Sequence, residues 1–284
     1  MFSLAQRGQV QFFEAKELSE LGLVTHAFCT RRSGVSKGDF ASLNVGNLVG
    51  DKENNVIQNL NIIKDSFAIP ENGLVMLRQV HGDRIIEIGE KDLLPVAVNE
   101  GDGLITNRPG IAICIKTADC APVLFVDCRL KVVGAIHAGW RGTALKIAAK
   151  MANIFAERFS SRREDIMVFI GPAIGPCCYE VDSPVFEAFA AVKDVEKFFY
   201  KLDQKDRWTF DLLNANRLQL IEEGIPGDNI QGGDICTSCR QDLFYSHRAA
   251  KGRKEGRQLN FIMLRNQVKI VMQKKLDNRI GLVL

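Results

Sequence analysis

The sequence lacks a long apolar run, since none approaches the ~18 residues that a membrane-spanning helix needs. The N-terminal stretch MFSLAQRGQVQFFEAKEL has neither an apolar h-region nor a cleavage site, so we expect no secretory signal. It also lacks a G-x-G-x-x-G fingerprint, a Walker loop and a G-x-S-x-G elbow. These absences disfavour membrane and exported proteins, the dinucleotide-binding and NTP-binding classes, and serine hydrolases of the elbow type.

An excess of charge of one sign is absent as well. The 37 basic and 34 acidic residues leave a net charge of +3 over 284 residues, which gives no reason to expect nucleic acid as a partner. The locally basic segment Arg248–Arg257 favours a solvated loop, with an anion contact as the alternative. Eight cysteines in a chain of this size without an export signal indicate reduced thiols and a cytoplasmic protein.

Short apolar runs and helical stripes alternate irregularly along the chain. Apolar residues fall on one helical face in three segments, which predicts helices over Asn54–Phe67, Ala144–Phe159 and Leu212–Glu223. Two strand-sized runs joined by the polar Asp127–Lys131 predict a hairpin across residues 120–137. We therefore expect one α/β or α+β domain over residues 1–284, with a mixed β-sheet core flanked by helices. The terminal Ile280–Leu284 is typical of a further strand or a tail.

Three residues with metal-binding side chains border strand-like runs. Cys120 precedes one strand of the predicted hairpin, His137 ends the other, and His81 precedes a further short run. Two imidazoles and a thiolate suit Zn²⁺, and a catalytic zinc typically keeps three protein ligands and one open position. No local motif relates the three residues, because 38 residues separate the first two in sequence and 16 the last two. From spacing alone, unrelated core or surface residues remain the alternative.

Polar residues that could contact a ligand lie near these positions. Thr30–Leu48, rich in Gly, Ser and Asn, reads as a long loop, and its Arg31 and Asn44 offer polar contacts or merely a surface connection. Gly139–Thr143 reads as a tight turn that caps the following helix, so Arg141 and the helix N-terminus could hold an anion beside His137. Arg141 could equally form a salt bridge that holds the turn.

Four further cysteines occur in two pairs. Cys177 and Cys178 are adjacent; small buried apolar side chains are the simplest interpretation, and a place beside the metal is the alternative. Cys236 and Cys239 form a single C-x-x-C, which could be half of a zinc site, a redox pair or chance. The absence of a second C-x-x-C disfavours a structural zinc held by four cysteines.

Seven segments together resemble one known family over about residues 20–265. They are HAFCTRRSGVS with SLNVG, RQVHGD, DGLIT, TADCAPVLF, GAIHAGWRGT, IGPAIGPCCYEV, and DICTSCR with FYSHR. In this order they are similar to the multicopper polyphenol oxidoreductase (laccase domain) family, whose bacterial members are also described as purine nucleoside phosphorylases. The resemblance implies a layered sandwich of the cytotoxic-necrotizing-factor-like, laccase-domain type.

The same resemblance implies a metal site and an activity. The metal ligands would be His81, Cys120 and His137, with zinc as the metal and copper as the alternative. The activity would be phosphorolysis of adenosine, inosine and 5′-methylthioadenosine to the base and ribose 1-phosphate or its methylthio analogue, with adenosine deamination. Asp119 would be a proton shuttle, or else a residue that only supports the site. The candidates for binding nucleoside and phosphate are Arg31, Asn44, Arg141 and Arg248.

Two other activities fit the same residues. In a cysteine hydrolase or a peptidoglycan-precursor editing enzyme, Cys120 would be the nucleophile and His137 or His81 the base. A copper-dependent polyphenol oxidase is a weaker candidate, because a multicopper centre needs many more histidines than the four that this chain has. We expect small-molecule partners, no nucleic acid and no membrane, and we leave a homodimer open.

Overall fold

The computed structural model describes residues 2–89 and 99–266. Its strands are, in chain order, β1 (Phe2–Arg7), β2 (Val10–Ala15), β3 (Val24–Cys29), β4 (Leu74–Met76), β5 (Ile85–Glu87), β6 (Gly103–Thr106), β7 (Ala112–Thr117), β8 (Ala121–Asp127), β9 (Val132–Ala138), β10 (Ile166–Ile170), β11 (Glu180–Asp182), β12 (Phe199–Lys201), β13 (Arg207–Phe210), β14 (Ile230–Gly232) and β15 (Gln258–Leu264). The α-helices are α1 (Lys16–Glu20), α2 (Glu53–Phe67), α3 (Trp140–Ala144), α4 (Ile147–Phe159), α5 (Ser183–Glu187), α6 (Leu212–Glu222) and α7 (His247–Ala250).

These strands form two mixed six-stranded sheets and a small third sheet. The first sheet has the order β1-β2-β3-β15-β7-β4, in which β4 and β7 run parallel and the other pairs antiparallel. The second has the order β14-β10-β8-β9-β6-β5, with parallel pairs at both edges. The third, β11-β13-β12, is antiparallel. The structure is therefore the mixed α+β fold that the sequence predicts, with its strands divided among more than one sheet.

Apolar side chains on both faces of the large sheets stack the molecule in layers. Ile113 of β7 and Leu124 of β8 belong to one buried cluster, so the two sheets pack face to face. The outer face of the first sheet packs against α2 through Phe261 and Ile63. Beyond the second sheet, another cluster joins Phe125 to helices α4 and α6. Strands buried on both faces read as continuous apolar runs, which is the pattern of β8 and β9.

The predicted helices are confirmed in two cases and corrected in one. Helices α2 and α6 match the predicted segments to within one residue at each end. The helix predicted over Ala144–Phe159 is confirmed from Ile147 to Phe159 as α4, but its predicted start is wrong, because Lys146 takes a left-handed conformation, with φ of 60°, between α3 and α4. The turn predicted over Gly139–Thr143 is instead mostly α3, so neither Gly142 nor Thr143 caps a helix. The predicted C-terminal strand, Ile280–Leu284, lies outside the described residues. Within residues 2–89 and 99–266, no helix is long and apolar enough to cross a membrane.

The buried histidine of β3 gives the fold a pH-dependent stability. His26 is buried, and its Nε2 accepts a 2.9 Å hydrogen bond from the backbone N–H of Ala15, which requires the neutral ring. Burial, with Arg265 and Arg7 nearby, lowers the pKa of His26 to about 4. The ring binds its proton near pH 6.5 in the unfolded chain but only near pH 4 in the folded protein. His26 therefore lowers the free energy of unfolding by ~3 kcal/mol as the pH falls from 7 to 4.

We expect His26→Gln, which cannot bind the proton, to show a flatter loss of stability over this range. Urea unfolding at pH 7, 5.5 and 4 measures the free energy of unfolding of both proteins, and the difference between them isolates this residue from the acidic groups. Parallel stability curves for the two proteins would show that His26 does not set the pH dependence.

Candidate functional site

The β8–β9 hairpin brings a thiol and an imidazole together. Pro122 pairs with His137 and Ala121 with Ala138, so Cys120, directly before β8, lies beside the end of β9. Asp119 precedes it with a φ of 88°, a left-handed conformation that turns the chain into the strand. The predicted hairpin is thus confirmed, and it places both side chains at one end of the second sheet.

A second imidazole reaches the same point from a different segment. His81 has a φ of 59° and lies between β4 and β5, and its ring centroid is 4.8 Å from that of His137. The Cys120 Sγ atom and one ring nitrogen each of His81 and His137 all lie within 4.8 Å of one another. The structure therefore brings together the three residues that the sequence analysis selected.

A buried carboxylate orients the ring of His137 and holds the backbone of the His81 segment. Asp102, directly before β6, is fully buried, and its Oδ1 is 2.8 Å from His137 Nδ1. Its carboxylate also accepts hydrogen bonds from the backbone N–H groups of Val80, His81 and Gly82, at 3.2, 3.0 and 2.7 Å. When His137 Nδ1 donates to Asp102, Nε2 is left with a lone pair that can bind a metal.

The electrostatics of the cluster favour a thiolate. Burial by itself raises the pKa of Cys120, but the charge and hydrogen bond of His137, aided by His81, lower it below its ordinary value. Burial likewise lowers the pKa of His137, and the opposing effects of Cys120 and Asp102 raise it above the ordinary value. The deprotonated sulfur is the form of cysteine that binds metals and acts as a nucleophile.

The donor set fits a metal ion. Two imidazoles and one thiolate are the borderline-soft ligands of a three-coordinate protein site that leaves a position open, and the Asp102–His137 hydrogen bond is the supporting contact such sites have. His81 is exposed and Cys120 is half-buried, so the cluster faces an opening rather than the core. This group of side chains can therefore bind a metal where a small molecule can reach it.

The cluster lines a large cavity. Its volume is about 1240 Å³, enough for a small-molecule ligand. Apolar and aromatic side chains form part of its wall: Met76, Leu77, Trp140, Ile174, Tyr179, Val181, Val185 and Leu212. The end of the predicted long loop also contributes, through residues Gly46–Val49. The cavity thus combines a metal-binding cluster with a surface on which a flat ring can pack.

Cationic side chains line the same cavity. The guanidinium of Arg141 lies 4.5 Å from the Trp140 ring centroid, and that of Arg248 lies 5.3 Å from the Tyr179 ring centroid. In the described part of the chain, neither forms an ion pair with a carboxylate. Lys116 also lines the wall, and burial, with Arg257 nearby, lowers its pKa. Arg141 and Arg248 therefore add positive charge to the cavity wall, and their binding of an anion stays a prediction.

Asp119 lines the cavity, and its carboxylate joins two other segments. Its Oδ1 accepts a 2.7 Å hydrogen bond from Thr237 Oγ1, and its Oδ2 accepts one of the same length from the backbone N–H of Arg248. The backbone N–H of Ile174 donates to the carbonyl oxygen of Asp119 at 2.8 Å. These contacts support the cavity wall beside Cys120, and the proton-shuttle role of Asp119 stays a prediction.

The other two predicted substrate-binding residues lie away from the cavity. Arg31 stacks on Tyr245, with its guanidinium 4.4 Å from the ring centroid, and its Nε donates to the carbonyl of Ala41 at 2.7 Å. Asn44 is fully buried; its Oδ1 accepts from the backbone N–H groups of Gly46 and Arg257, each at 2.8 Å. Among the described residues that line the cavity, neither is present. Both hold the long loop in shape.

The four remaining paired cysteines form one group, and the structure corrects the prediction for two of them. Cys177 is exposed and Cys178 is half-buried, so the prediction of buried apolar residues is wrong. Both approach Cys236 and Cys239, and the Sγ atoms of the four cysteines all lie within 4.8 Å of one another. A second group with metal-binding geometry thus exists, although the sequence disfavoured it.

Several site residues were missed by the sequence analysis. Asp102 belongs to the DGLIT segment, but its contact with His137 depends on the pairing of β6 with β9, which no local pattern reveals. Trp140 and Tyr179 follow the GAIHAG and GPCC segments directly, so their closeness to a reactive motif was the available signal. Lys116, at the end of β7, gave no signal of its own.

Comparison with known proteins shows the same similarity along nearly the whole chain. A family model described as multi-copper polyphenol oxidoreductase laccase matches residues 25–265. Purine nucleoside phosphorylase YlmD of Geobacillus stearothermophilus is 39% identical over 245 residues, covering 84% of this chain and 89% of the relative. A purine nucleoside phosphorylase of Bacteroides thetaiotaomicron is 33% identical over 272 residues, covering 93% and 99%. The crystal structure of YlmD from Geobacillus stearothermophilus superposes with a TM-score of 0.86 at 37% identity, covering 93% of this chain and 99% of that one.

Proposed function

Because the chain belongs to the multi-copper polyphenol oxidoreductase laccase family, we propose that it is a zinc-dependent purine nucleoside phosphorylase. The observation that carries the proposal is the His81, Cys120 and His137 cluster on the wall of a cavity that also presents arginines and aromatic rings. The names of the curated relatives support the reaction class. The proposed substrates are adenosine, inosine and 5′-methylthioadenosine, and the proposed second activity is deamination of adenosine to inosine.

In phosphorolysis, an oxygen of phosphate forms a bond to C1′ of the ribose while the C1′–N9 bond to the purine breaks. The electron pair leaves with the purine, which takes up a proton, and the products are the free base and ribose 1-phosphate. The protein must therefore neutralise the phosphate and hold the purine in place. Arg141 and Arg248 supply positive charge on the cavity wall, and the apolar side chains around Trp140 and Tyr179 offer a surface for the purine.

His81, Cys120 and His137 would hold the zinc, and Asp102 positions His137 for it. A zinc ion held there by three protein ligands would supply an open coordination position, activation of water near neutral pH and polarisation of a substrate group. That chemistry suits adenosine deamination, in which water replaces the amino group at C6 and ammonia leaves. The chain's own contribution is to fix the ligands in one geometry, which Asp102 does through four hydrogen bonds.

The phosphate site can be tested by charge removal. Arg141→Met and Arg248→Met are each expected to raise the KM for phosphate about 10- to 100-fold, the loss expected for a hydrogen bond to a charged group. The KM for adenosine should change much less. Steady-state kinetics with phosphate varied at saturating adenosine measures this.

Arg32→Met is the matched control for these variants. Arg32 pairs with Asp242 at 3.3 Å and does not line the cavity, so its replacement should leave the phosphate KM unchanged. If the Arg141 and Arg248 variants, and the double variant, kept the wild-type KM for phosphate, the anion would bind elsewhere.

A cysteine hydrolase is the second candidate, because of one arrangement. Cys120, His137 and Asp102 form a chain in which the carboxylate contacts the far nitrogen of the imidazole, as in a nucleophile–base–acid triad. Metal separates the two functions, since a thiolate bound to zinc is not a free nucleophile. The hydrolase predicts that iodoacetamide modifies Cys120 in the metal-loaded protein, and the phosphorylase predicts protection until a chelator removes the metal.

Nothing in the positions of the other histidines favours a multicopper oxidase. His26 is buried in β3 with Nε2 bonded to the backbone of Ala15. His247 lines the cavity, but its Nδ1 lies 2.9 Å from Glu255 Oε1, and neither of these two histidines belongs to the group of His81, Cys120 and His137. A titration with Cu²⁺ should accordingly give no gain in phenol oxidation.

A further inference from the structure

Four cysteine sulfurs meet near the surface, in a group that shares no residue with the cluster of His81, Cys120 and His137. Cys177 and Cys178 come from the turn that follows β10, and Cys236 and Cys239 from the C-x-x-C that follows β14. Cys239 Sγ lies 3.6 Å from Cys177 Sγ and 3.4 Å from Cys178 Sγ. All four Sγ atoms lie within 4.8 Å of one another. The grouping contains only thiols.

The backbone holds the two turns in this register. Ala173 forms a parallel bridge with Cys236: the N–H of Ala173 donates to the carbonyl of Ile235, and the N–H of Thr237 donates to the carbonyl of Ala173. The backbone N–H of Gly175 donates to Cys236 Sγ at 3.3 Å. Hydrogen bonds from backbone N–H groups stabilise a thiolate, so this sulfur is set up in the charged form that binds metals.

The spacing of the sulfurs matches one tetrahedral metal ion. A zinc ion bound at ~2.3 Å to four sulfurs places each pair of sulfurs about 3.8 Å apart. The distances of 3.4 and 3.6 Å lie close to this value, and they far exceed the ~2.05 Å of a disulfide bond. All four cysteines are free, and the spacing of Cys236 and Cys239 is that of structural zinc sites.

We propose that Cys177, Cys178, Cys236 and Cys239 bind a structural zinc ion as four thiolates, in addition to the metal at His81, Cys120 and His137. Four sulfur ligands close the tetrahedron, so this ion has no open position and takes no substrate. Zinc binding releases the remaining thiol protons and involves no change in oxidation state.

The consequence of this site is a cross-link beneath the cavity wall. Both turns that it joins also contact Asp119: Ile174 donates to its backbone carbonyl, and Thr237 donates to its carboxylate. Arg248 Nη1 donates to the carbonyl of Cys178 at 3.4 Å. The zinc thus fixes the wall next to Cys120 and the position of Arg248. The proposal of this zinc site does not depend on the proposed nucleoside reaction.

The test counts and characterises the metal. Protein purified under reducing conditions from zinc-supplemented cells should contain about two zinc ions per chain, and Cys120→Ala should retain about one. X-ray absorption at the zinc edge of Cys120→Ala should show sulfur alone, at about 2.3 Å. Adding Cys236→Ser and Cys239→Ser should remove this zinc and lower the melting temperature, whereas adding Cys128→Ser, a half-buried thiol outside the group, should not.

A measurement without any substitution guards against misfolded variants. In wild-type protein loaded with ¹¹³Cd, NMR should show two resonances, one of them in the region of all-sulfur coordination. The proposal is overturned if Cys120→Ala holds no zinc, if its zinc has nitrogen ligands, or if the site holds iron instead. It is also overturned if these cysteines form disulfides in place of binding metal. The intact mass and the extent of alkylation, measured after the protein is reduced and then equilibrated with air, would show this.

Discussion

Cys120→Ala is expected to lose the zinc at the His81, Cys120 and His137 cluster and to lose phosphorolysis of adenosine with it. The expected fall in kcat/KM exceeds about 100-fold, because loss of even an outer partner of a metal-ligating histidine costs 10- to 100-fold. The thiolate is the one anionic ligand among the three, and its removal leaves two neutral imidazoles. Metal analysis and product formation, measured on one preparation, test the two losses together.

The controls for this variant separate chemistry from folding. Cys128→Ala removes a half-buried thiol that lies outside the cavity, and it should keep wild-type zinc content and activity. Circular dichroism should give the same spectrum for both variants and the wild type. Full turnover by a correctly folded Cys120→Ala would remove this cysteine from the mechanism.

Asp102→Asn is expected to weaken zinc binding and activity by about 10- to 100-fold while all three ligands remain. Asparagine keeps the shape of the side chain, but it replaces one acceptor oxygen with an N–H₂ group. That N–H₂ group would face either His137 Nδ1 or a backbone N–H group of His81 or Gly82. In the wild-type protein the Asp102 carboxylate accepts hydrogen bonds from these groups. The loss of the negative charge also lowers the basicity of His137.

The readout for Asp102 must distinguish positioning from general destabilisation. Zinc affinity, measured by competition with a chromogenic chelator, should fall together with kcat/KM, and added zinc should restore part of the activity. Asp127→Asn is the matched control, because Asp127 is also fully buried in the second sheet. Among the described residues, its carboxylate accepts a hydrogen bond only from the backbone N–H of Leu130. An Asp102→Asn protein with unchanged zinc affinity would show that this carboxylate does not support the metal site.

The sequence predicted what depends on neighbouring residues. The hairpin that joins Cys120 to His137 follows from two apolar runs and a short polar connection, and both strands lie where the pattern placed them. The stripe of α2 likewise follows from local periodicity. That His81 joins the other two ligands came from resemblance, because the approach of the segment after β4 to the hairpin is set by the order of strands in the sheets.

What the sequence could not predict depends on long-range pairing or on a single backbone angle. Asp102 reaches His137 because β6 pairs with β9, and Cys177 reaches Cys239 because Ala173 bridges to Cys236. Neither contact leaves a periodic signal. The break at Lys146 leaves none either, since the apolar stripe continues through it while one left-handed residue starts a new helix.

The most direct test of the account is the stoichiometry of products from adenosine and phosphate. With zinc-loaded wild-type protein, we expect adenine and ribose 1-phosphate in equal amounts, at a rate that rises with phosphate and disappears in Cys120→Ala. Inosine formed in the same assay would report the accompanying deamination. Adenine released with free ribose and without dependence on phosphate, or no adenine from metal-loaded protein, would contradict the phosphorylase.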